Sequence, residues 1–299
     1  MITQNLRNCR NFPFVSLCIP TYNRYDLLRT ALDAARRQDY PNYEILISDN
    51  TDFAETPKWL LDTIAADTRI RYVKQPTNLG MVGNYCFLLN SSNGEYFCSL
   101  QDDDEIPRNF LSGLMAEIQK RSDIVLCGPT CQRYFEGKYW YQYDSFSNVG
   151  EDQLKRLFLL SRFAFENPWS FETLVYGIFK KSAFPENFTF GRWRGVIRFF
   201  FGLSITGSIH TSPTVKVKKF TYISDLRKYS SADYVYRYEW MNFLSRRQEE
   251  RLTVLMLLTK QTLLARNIAQ PFKLLLFMSF LYNYIRNKPE LSAPKVPQH

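Results

Sequence analysis

Four short apolar runs, each ending in a polar turn, alternate with segments of helical periodicity, and few folds accommodate that alternation. Phe14 to Pro20 reads as a buried strand stopped by proline. Thr21, Tyr22 and Asn23 make a turn, after which Leu27, Leu28, Ala31, Leu32 and Ala35 recur at helical spacing. Pro41 breaks that helix, and Tyr43 to Ser48 forms a second strand ending in Asp49-Asn50-Thr51-Asp52. A helix from about Thr56 to Ala66 leads to a third strand, Ile70 to Lys74. Gln75 to Gly80 then turns into a helix reaching about Leu89, and Asn93-Gly94 turns into a fourth strand, Glu95 to Leu100. Strand–helix repetition of this kind predicts an α/β fold: a mostly parallel sheet flanked by helices.

Polar residues collect at one kind of place in this scheme. Tyr22, Asn23, Asp49, Asn50, Asn78 and the run Asp102-Asp103-Asp104-Glu105 all lie just past the carboxyl ends of predicted strands. In open α/β sheets that edge binds ligands. A single strand-end Asp is commonly a helix cap, but four such positions in succession are hard to attribute to capping. Adjacent carboxylates repel one another and each demands water. A divalent cation relieves that cost, since Mg²⁺ and Mn²⁺ take hard oxygen ligands. The alternative is a solvated acidic turn in which Asp102 caps the helix beyond Pro107.

Beyond residue 114 the pattern is looser. Asp123 to Gly128 reads as a further strand, Leu154 to Leu160 as a helix, Leu174 to Lys180 as a buried strand and Val196 to Ile205 as an amphipathic helix. Tyr134 to Phe146, dense in Tyr, Trp and Phe, suits an edge hairpin or an aromatic wall for a sugar ring. The last third changes character. Tyr238 to Arg266 is a long helical pattern, and Leu274 to Ile285 is an apolar run flanked by Lys273, Arg286 and Lys288. It falls short of the roughly 20 apolar residues that span a bilayer. Two placements suit it, a helix in the membrane interface or one packed on the protein's own core. Leu291 to His299 is a Pro-containing tail. The chain therefore divides into a domain over 1–235 and a helical extension over 236–299.

Charge and cysteine usage narrow the partners. The formal net charge is +9, and Tyr176 to Ala232 carries ten Lys and Arg against only Glu186 and Asp225. Such a segment suits an anionic partner: phosphate, a membrane surface or nucleic acid. No nucleic-acid-binding motif accompanies it and the acidic run would repel a backbone, so nucleic acid is set aside. Six cysteines show no regular ladder, and with only His210 and His299 available a structural zinc is not expected. Met1 to Phe14 has no apolar core of signal-peptide length, which leaves reduced cytoplasm as the expected compartment.

Assembled in order, these segments resemble the family 2 glycosyltransferases of the GT-A, Rossmann-like fold. Val15 to Arg24 is similar to that family's opening strand and turn. Glu44 to Asp52 resembles its second strand, whose terminal Asp contacts the nucleotide base. Asn78-Leu79-Gly80-Met81-Val82-Gly83-Asn84 resembles the Asn-X-Gly segment beside the nucleotide, and Gly94-Glu95-Tyr96 leading to Asp102-Asp103-Asp104 resembles the final strand and metal-binding Asp-X-Asp motif. The resemblance implies a donor half over 14–114 and an acceptor half over 115–235. It implies a nucleotide-sugar donor, a UDP-sugar by preference, contacted by Pro20, Tyr22, Asn23, Asp49, Asn50, Asn78, Gly80, Asn84, Asp102 and Asp103. A Mn²⁺ or Mg²⁺ ion on Asp102, Asp103 and Asp104 would neutralise the donor's diphosphate. Inversion at the anomeric carbon would follow, with a glycan or lipid-linked acceptor at the inner face of the cell membrane.

One departure stands out. Where the family places the carboxylate of its catalytic base, this chain has Phe190-Gly191-Arg192-Trp193-Arg194-Gly195, and an Arg is no base. Glu166, Glu172 and Glu186 are the nearest acids, and Glu172 is the candidate base. Two functions result: a glycosyltransferase of cell-surface polysaccharide biosynthesis, or a non-catalytic nucleotide-sugar-binding or scaffold subunit of a glycan-assembly complex.

Overall fold

The computed structural model describes residues 12–52, 55–135, 137–166, 172–184 and 194–221. The expected C-terminal helices and tail, together with Glu186 and Arg192, lie outside the described residues. β1 (Val15–Thr21) leads to α1 (Tyr25–Arg36), β2 (Tyr43–Asp49) to α2 (Lys58–Ala66), and β3 (Ile70–Lys74) to α3 (Gly80–Ser91). β4 (Tyr96–Ser99) and α4 (Phe110–Gln119) complete the first half. The second half runs β5 (Ile124–Phe135), β6 (Lys138–Gln142), α5 (Gln153–Glu166), β7 (Ile178–Lys180), α6 (Arg194–Thr206) and β8 (Ser208–Thr221).

One eight-stranded sheet contains both halves, in the order β3-β2-β1-β4-β7-β5-β6, with β8 paired to β5. β3, β2, β1 and β4 are mutually parallel, as the strand–helix alternation requires. β7 runs antiparallel to both β4 and β5. Inserting one reversed strand leaves β5 parallel to β4 and sends its second half, with β6 and β8, past β4's carboxyl end. Side chains alternate across the strands. Leu17, Ile19, Ile45 and Ile47 meet Leu28, Leu32, Phe110 and Leu114 on one face. Cys18, Leu46 and Phe97 meet Leu88, Leu126, Leu160, Phe200 and Leu203 on the other. Burial on both faces explains why β1 and β2 read as continuous apolar runs.

The opposite, amino-terminal edge is tied by one buried carboxylate. Glu44 accepts from Ser16 Oγ at 2.6 Å and from Asn93 N at 2.7 Å, and Arg71 reaches its other oxygen at 2.9 Å. Gly94 donates to Ser16 Oγ at 2.8 Å. A Cβ on Gly94 would stand 2.5 Å from Ser16 N and 2.6 Å from Tyr96 O, both backbone atoms. Only glycine lets the chain enter β4 so close to β1.

Two sequence expectations change. The strand expected over Leu174 to Lys180 is a 3₁₀ turn, Glu172–Tyr176, followed by the short β7. Gly177 separates them, pressed so close to β5 that a Cβ would lie 2.8 Å from Cys127 O. β8 is a strand the sequence pattern does not predict, because Pro213 and three lysines interrupt its apolar alternation. Its lysines do not share one basic face. Lys218 pairs with Glu105 at 3.5 Å, whereas Lys219 turns inward with its Nζ 4.4 Å from the centre of the Tyr176 ring. Lys181 donates to Ser92 O at 2.7 Å. Tyr134 to Phe146 begins as the expected hairpin, β5 against β6, with Tyr134 edge-on to Tyr139 at 5.8 Å.

Candidate active site

Each loop at the carboxyl edge is shaped by its own short polar residues. After β1 the chain reverses through Asn23, whose φ of 56° is left-handed. Asn accepts this region better than most residues, and Asn23 N donates to Thr51 Oγ1 at 2.9 Å. Pro20 lies within β1, and Tyr22 projects outward with 44% of its surface exposed. The reversal aims Arg24 across the edge of the sheet. Its Nη1 donates to Asp102 Oδ1 at 3.2 Å and to Asp103 Oδ2 at 2.9 Å. Thr21 Oγ1 holds the other oxygen of Asp102 at 2.8 Å.

At the end of β2, Asp49 is completely buried. One carboxylate oxygen accepts from Tyr25 OH at 2.8 Å and Tyr72 OH at 2.7 Å, and the other accepts from Thr51 N at 2.8 Å. Burial and the neighbouring Asp49 push the Tyr72 phenol up, against the bond from Thr56. Asn50 fastens the next loop: its Nδ2 donates to Gly80 O at 3.1 Å, and Leu79 N donates to its Oδ1 at 3.4 Å. Asn78 Oδ1 accepts from Gly80 N at 2.8 Å, closing an Asx turn into α3, and Gly80 has a φ of 68°. Asn84, on the first turns of α3, donates to Ser48 O at 3.1 Å. Its Oδ1, and Ser99 Oγ at the end of β4, are buried with no partner among the described residues.

The acidic run is mostly inside the protein. Asp102 and Asp104 are each 5% exposed. Burial, followed by the neighbouring charge of Asp103, pushes the Asp102 carboxyl up to about 6, against the pull of Arg24 and Thr21. This is a bonded cluster and not the solvated turn that the sequence also allowed. A divalent cation would need several of these oxygens at once. As arranged, Arg24 and Thr21 hold Asp102, and Arg24 also holds Asp103. Among the described residues no three acidic, His or Cys side chains converge as a ligand set. The oxygen chemistry of this run suits Mg²⁺ or Mn²⁺, and Asp102, Asp103 and Asp104 are the residues that would hold one.

The structure thus brings Pro20, Tyr22, Asn23, Asp49, Asn50, Asn78, Gly80, Asn84 and Asp102 to Asp104 to one edge of the sheet. Glu172 opens the 3₁₀ turn before β7, which runs antiparallel to β4 with Phe179 opposite Phe97 and Lys180 opposite Tyr96. Arg194 opens α6. Sequence reasoning missed Thr21, Tyr25, Tyr72 and the partners of Arg24. Arg24 directly follows the first turn, where a cation four residues past a strand was a usable signal. Nothing local marks Tyr72, which reaches Asp49 from the neighbouring strand.

An α/β sheet of this order, with polar loops on β1, β2 and β4 and an acidic run after β4, has the GT-A architecture of sugar-transferring enzymes. The chain belongs to glycosyl transferase family 2, whose family model matches residues 16–188. The GalNAc(5)-diNAcBac-PP-undecaprenol beta-1,3-glucosyltransferase of Campylobacter jejuni is 28% identical over 172 residues, 57% of this chain and 52% of that protein. Abequosyltransferase RfbV of Salmonella typhimurium is 32% identical over 117 residues, 38% of this chain and 35% of that protein. The chain therefore matches between about a third and about half of these relatives' lengths. Among solved structures, S. aureus TarS 1-349 superposes with a TM-score of 0.57 at 15% identity, covering 91% of this chain and 71% of that one. The same protein in complex with UDP-GlcNAc gives a TM-score of 0.50 at 16% identity, covering 92% and 82%. These likenesses share the fold.

Proposed function

We propose that this protein moves a sugar from a nucleotide-sugar donor to a glycan or lipid-linked acceptor in cell-surface polysaccharide biosynthesis. One observation carries the reading: the loops after β1, β2, β3 and β4, all within the family match, are cross-bonded into a single polar edge. The donor half, 14–114, supplies that edge. A UDP-sugar is the preferred donor, in keeping with the TarS complex. Its base and ribose would lie over Tyr22, Asn23, Asn50, Asn78 and Gly80, with Asp49 holding that surface in shape from beneath. Its diphosphate would face Arg24 and the Asp102 to Asp104 run. A Mn²⁺ or Mg²⁺ ion there would neutralise the leaving diphosphate.

The acceptor half, 115–235, closes the other side through β5, β6 and β8. In the transfer, an acceptor hydroxyl attacks the anomeric carbon from the face opposite the diphosphate, the bond to the diphosphate oxygen breaks, and the configuration inverts. The hydroxyl proton passes to a carboxylate base. Glu172 is assigned that role from its place before β7, next to the end of β4. A lipid-linked acceptor accords with the undecaprenol-linked substrate named for the Campylobacter relative. It also accords with a peripheral position at the inner membrane face through the 274–285 segment. Among the described residues no helix is long and apolar enough to cross a membrane. Deleting residues 272–299 should release the protein from sedimented membranes; a truncated protein that stays bound would refute that attachment.

The direct test incubates the purified protein with Mn²⁺ or Mg²⁺, a panel of nucleotide sugars and membrane extract, and measures released nucleoside diphosphate. Release from one donor, lost in Asp104→Asn and in Glu172→Gln, is expected. Donor binding with no release under any condition would instead favour the binding-subunit reading, which the Arg residues at 192 and 194 motivate.

A further inference from the structure

The cation the family resemblance calls for and the cation the fold provides compete for the same oxygens. Arg24 lies at the amino end of α1, immediately after the left-handed Asn23. Its Nη1 bridges Asp102 and Asp103, and the three side chains are only 18%, 7% and 14% exposed. A guanidinium so placed relieves the repulsion between two adjacent carboxylates without a metal. It also closes them, since a divalent ion could not take the same oxygens while Arg24 remains. Arg24 itself extends from the turn that lies beside the expected donor diphosphate. Phosphate is the other anion that a guanidinium's fork of donors matches. Two buried polar atoms at this edge, Ser99 Oγ and Asn84 Oδ1, have no partner among the described residues.

We propose that Arg24 is an exchangeable counter-ion. Without donor it holds Asp102 and Asp103; when the donor arrives it transfers to the diphosphate, and a divalent cation takes the vacated carboxylates. The inference rests on the donor-site reading above. By linkage, cation and donor then strengthen each other's binding, because each removes the competitor of the other. Arg24 acts here as a positioning residue, and its effect on the two ligands has opposite signs. It weakens the cation's binding to the donor-free protein and strengthens the nucleotide's binding to the cation-free protein.

The opposite signs make the test. Mn²⁺ binding to the full chain without nucleotide is followed by the electron paramagnetic resonance of free Mn²⁺, and UDP binding in EDTA by calorimetry. Arg24→Gln should bind Mn²⁺ about tenfold more tightly and UDP about tenfold more weakly, each the equivalent of one charge-assisted contact. Arg24→Lys keeps the charge but not the two-oxygen reach, so its Mn²⁺ affinity should fall between the two. It also serves if Arg24→Gln fails to fold. Unchanged or weaker Mn²⁺ binding in Arg24→Gln, or no Mn²⁺ binding by any variant, would overturn the proposal, since a merely structural Arg24 would weaken both ligands. Nucleotide-sugar turnover by the wild type is read separately. Turnover with unaltered Mn²⁺ affinity in Arg24→Gln overturns the counter-ion exchange alone, whereas tighter Mn²⁺ binding without turnover upholds the exchange and overturns the transferase.

Discussion

Replacing Asp49 by Asn alters one atom in the middle of the polar carboxyl edge and should loosen both the fold and the proposed site. The wild-type carboxylate receives three donors, Tyr25 OH, Tyr72 OH and Thr51 N, at 2.8, 2.7 and 2.8 Å. An Asn can keep its oxygen toward Thr51 N but then presents an NH₂ group, itself a donor, to the two hydroxyls. Those hydroxyls must rotate and accept instead, and the charge is gone. A hydrogen bond to a charged group contributes roughly 1.5–3 kcal/mol against 0.5–1.5 kcal/mol for a neutral one. Two weakened bonds therefore amount to about 2 kcal/mol. With a urea slope of about 1–3 kcal/mol per molar, the unfolding midpoint should fall by about 1 M. Tyr25→Phe and Tyr72→Phe should each remove about 1 kcal/mol. Added to Asp49→Asn they should cost less than the sum, because the partner is already lost. UDP affinity should drop with Asp49→Asn even well below its melting temperature. An Asp49→Asn protein within 0.5 kcal/mol of the wild type, with additive Tyr variants, would refute the view that Asp49 organises this edge.

Two further outcomes follow from the opposite, amino-terminal edge of the sheet. Arg69 and Arg36 bond to Asp67, and the Arg69 guanidinium foremost holds that carboxyl well below the usual carboxylate range. A depressed acid contributes stability above its unfolded value that is lost as pH falls toward its folded one. Asp67→Asn should thus cost about 1 kcal/mol at pH 7, with the difference from wild type shrinking below about pH 4. A difference independent of pH in urea titrations would contradict the assignment. Gly94→Ala would thrust a methyl group into the backbone of Phe14, Ser16 and Tyr96. It should cost about 3 kcal/mol, seen as a lowered melting temperature by circular dichroism; an unaltered melt would show that β1 and β4 can move apart.

The half over 14–114 was legible in the sequence because each signal there is local. Strands buried on both faces leave continuous apolar runs such as Tyr43 to Ser48, and the edge residues follow them directly. The chain beyond residue 114 was less so. β7 keeps only three residues of strand because Gly177 must pass against Cys127, and nothing in Leu174 to Lys180 announces where a strand gives way to a 3₁₀ turn. β8 alternates inward and outward lysines, so its register became visible only beside β5. At the site itself, residue types were readable and their partners were not. Asp102, Asp103 and Asp104 read either as a solvated turn or as a metal site, and the family resemblance is what implied the metal. That Arg24, seventy-eight positions away from Asp102 in sequence, already balances two of them depends on tertiary placement.

The most direct test of the account is a crystal structure of the protein with Mn²⁺ and the nucleotide of whichever sugar donor supports turnover, using the anomalous signal of manganese. The account predicts the base over Tyr22 and Asn50, the manganese at the Asp102 to Asp104 run, and Arg24 moved from those carboxylates to the diphosphate. A nucleotide bound away from the carboxyl edge of β1, β2 and β4 would contradict it.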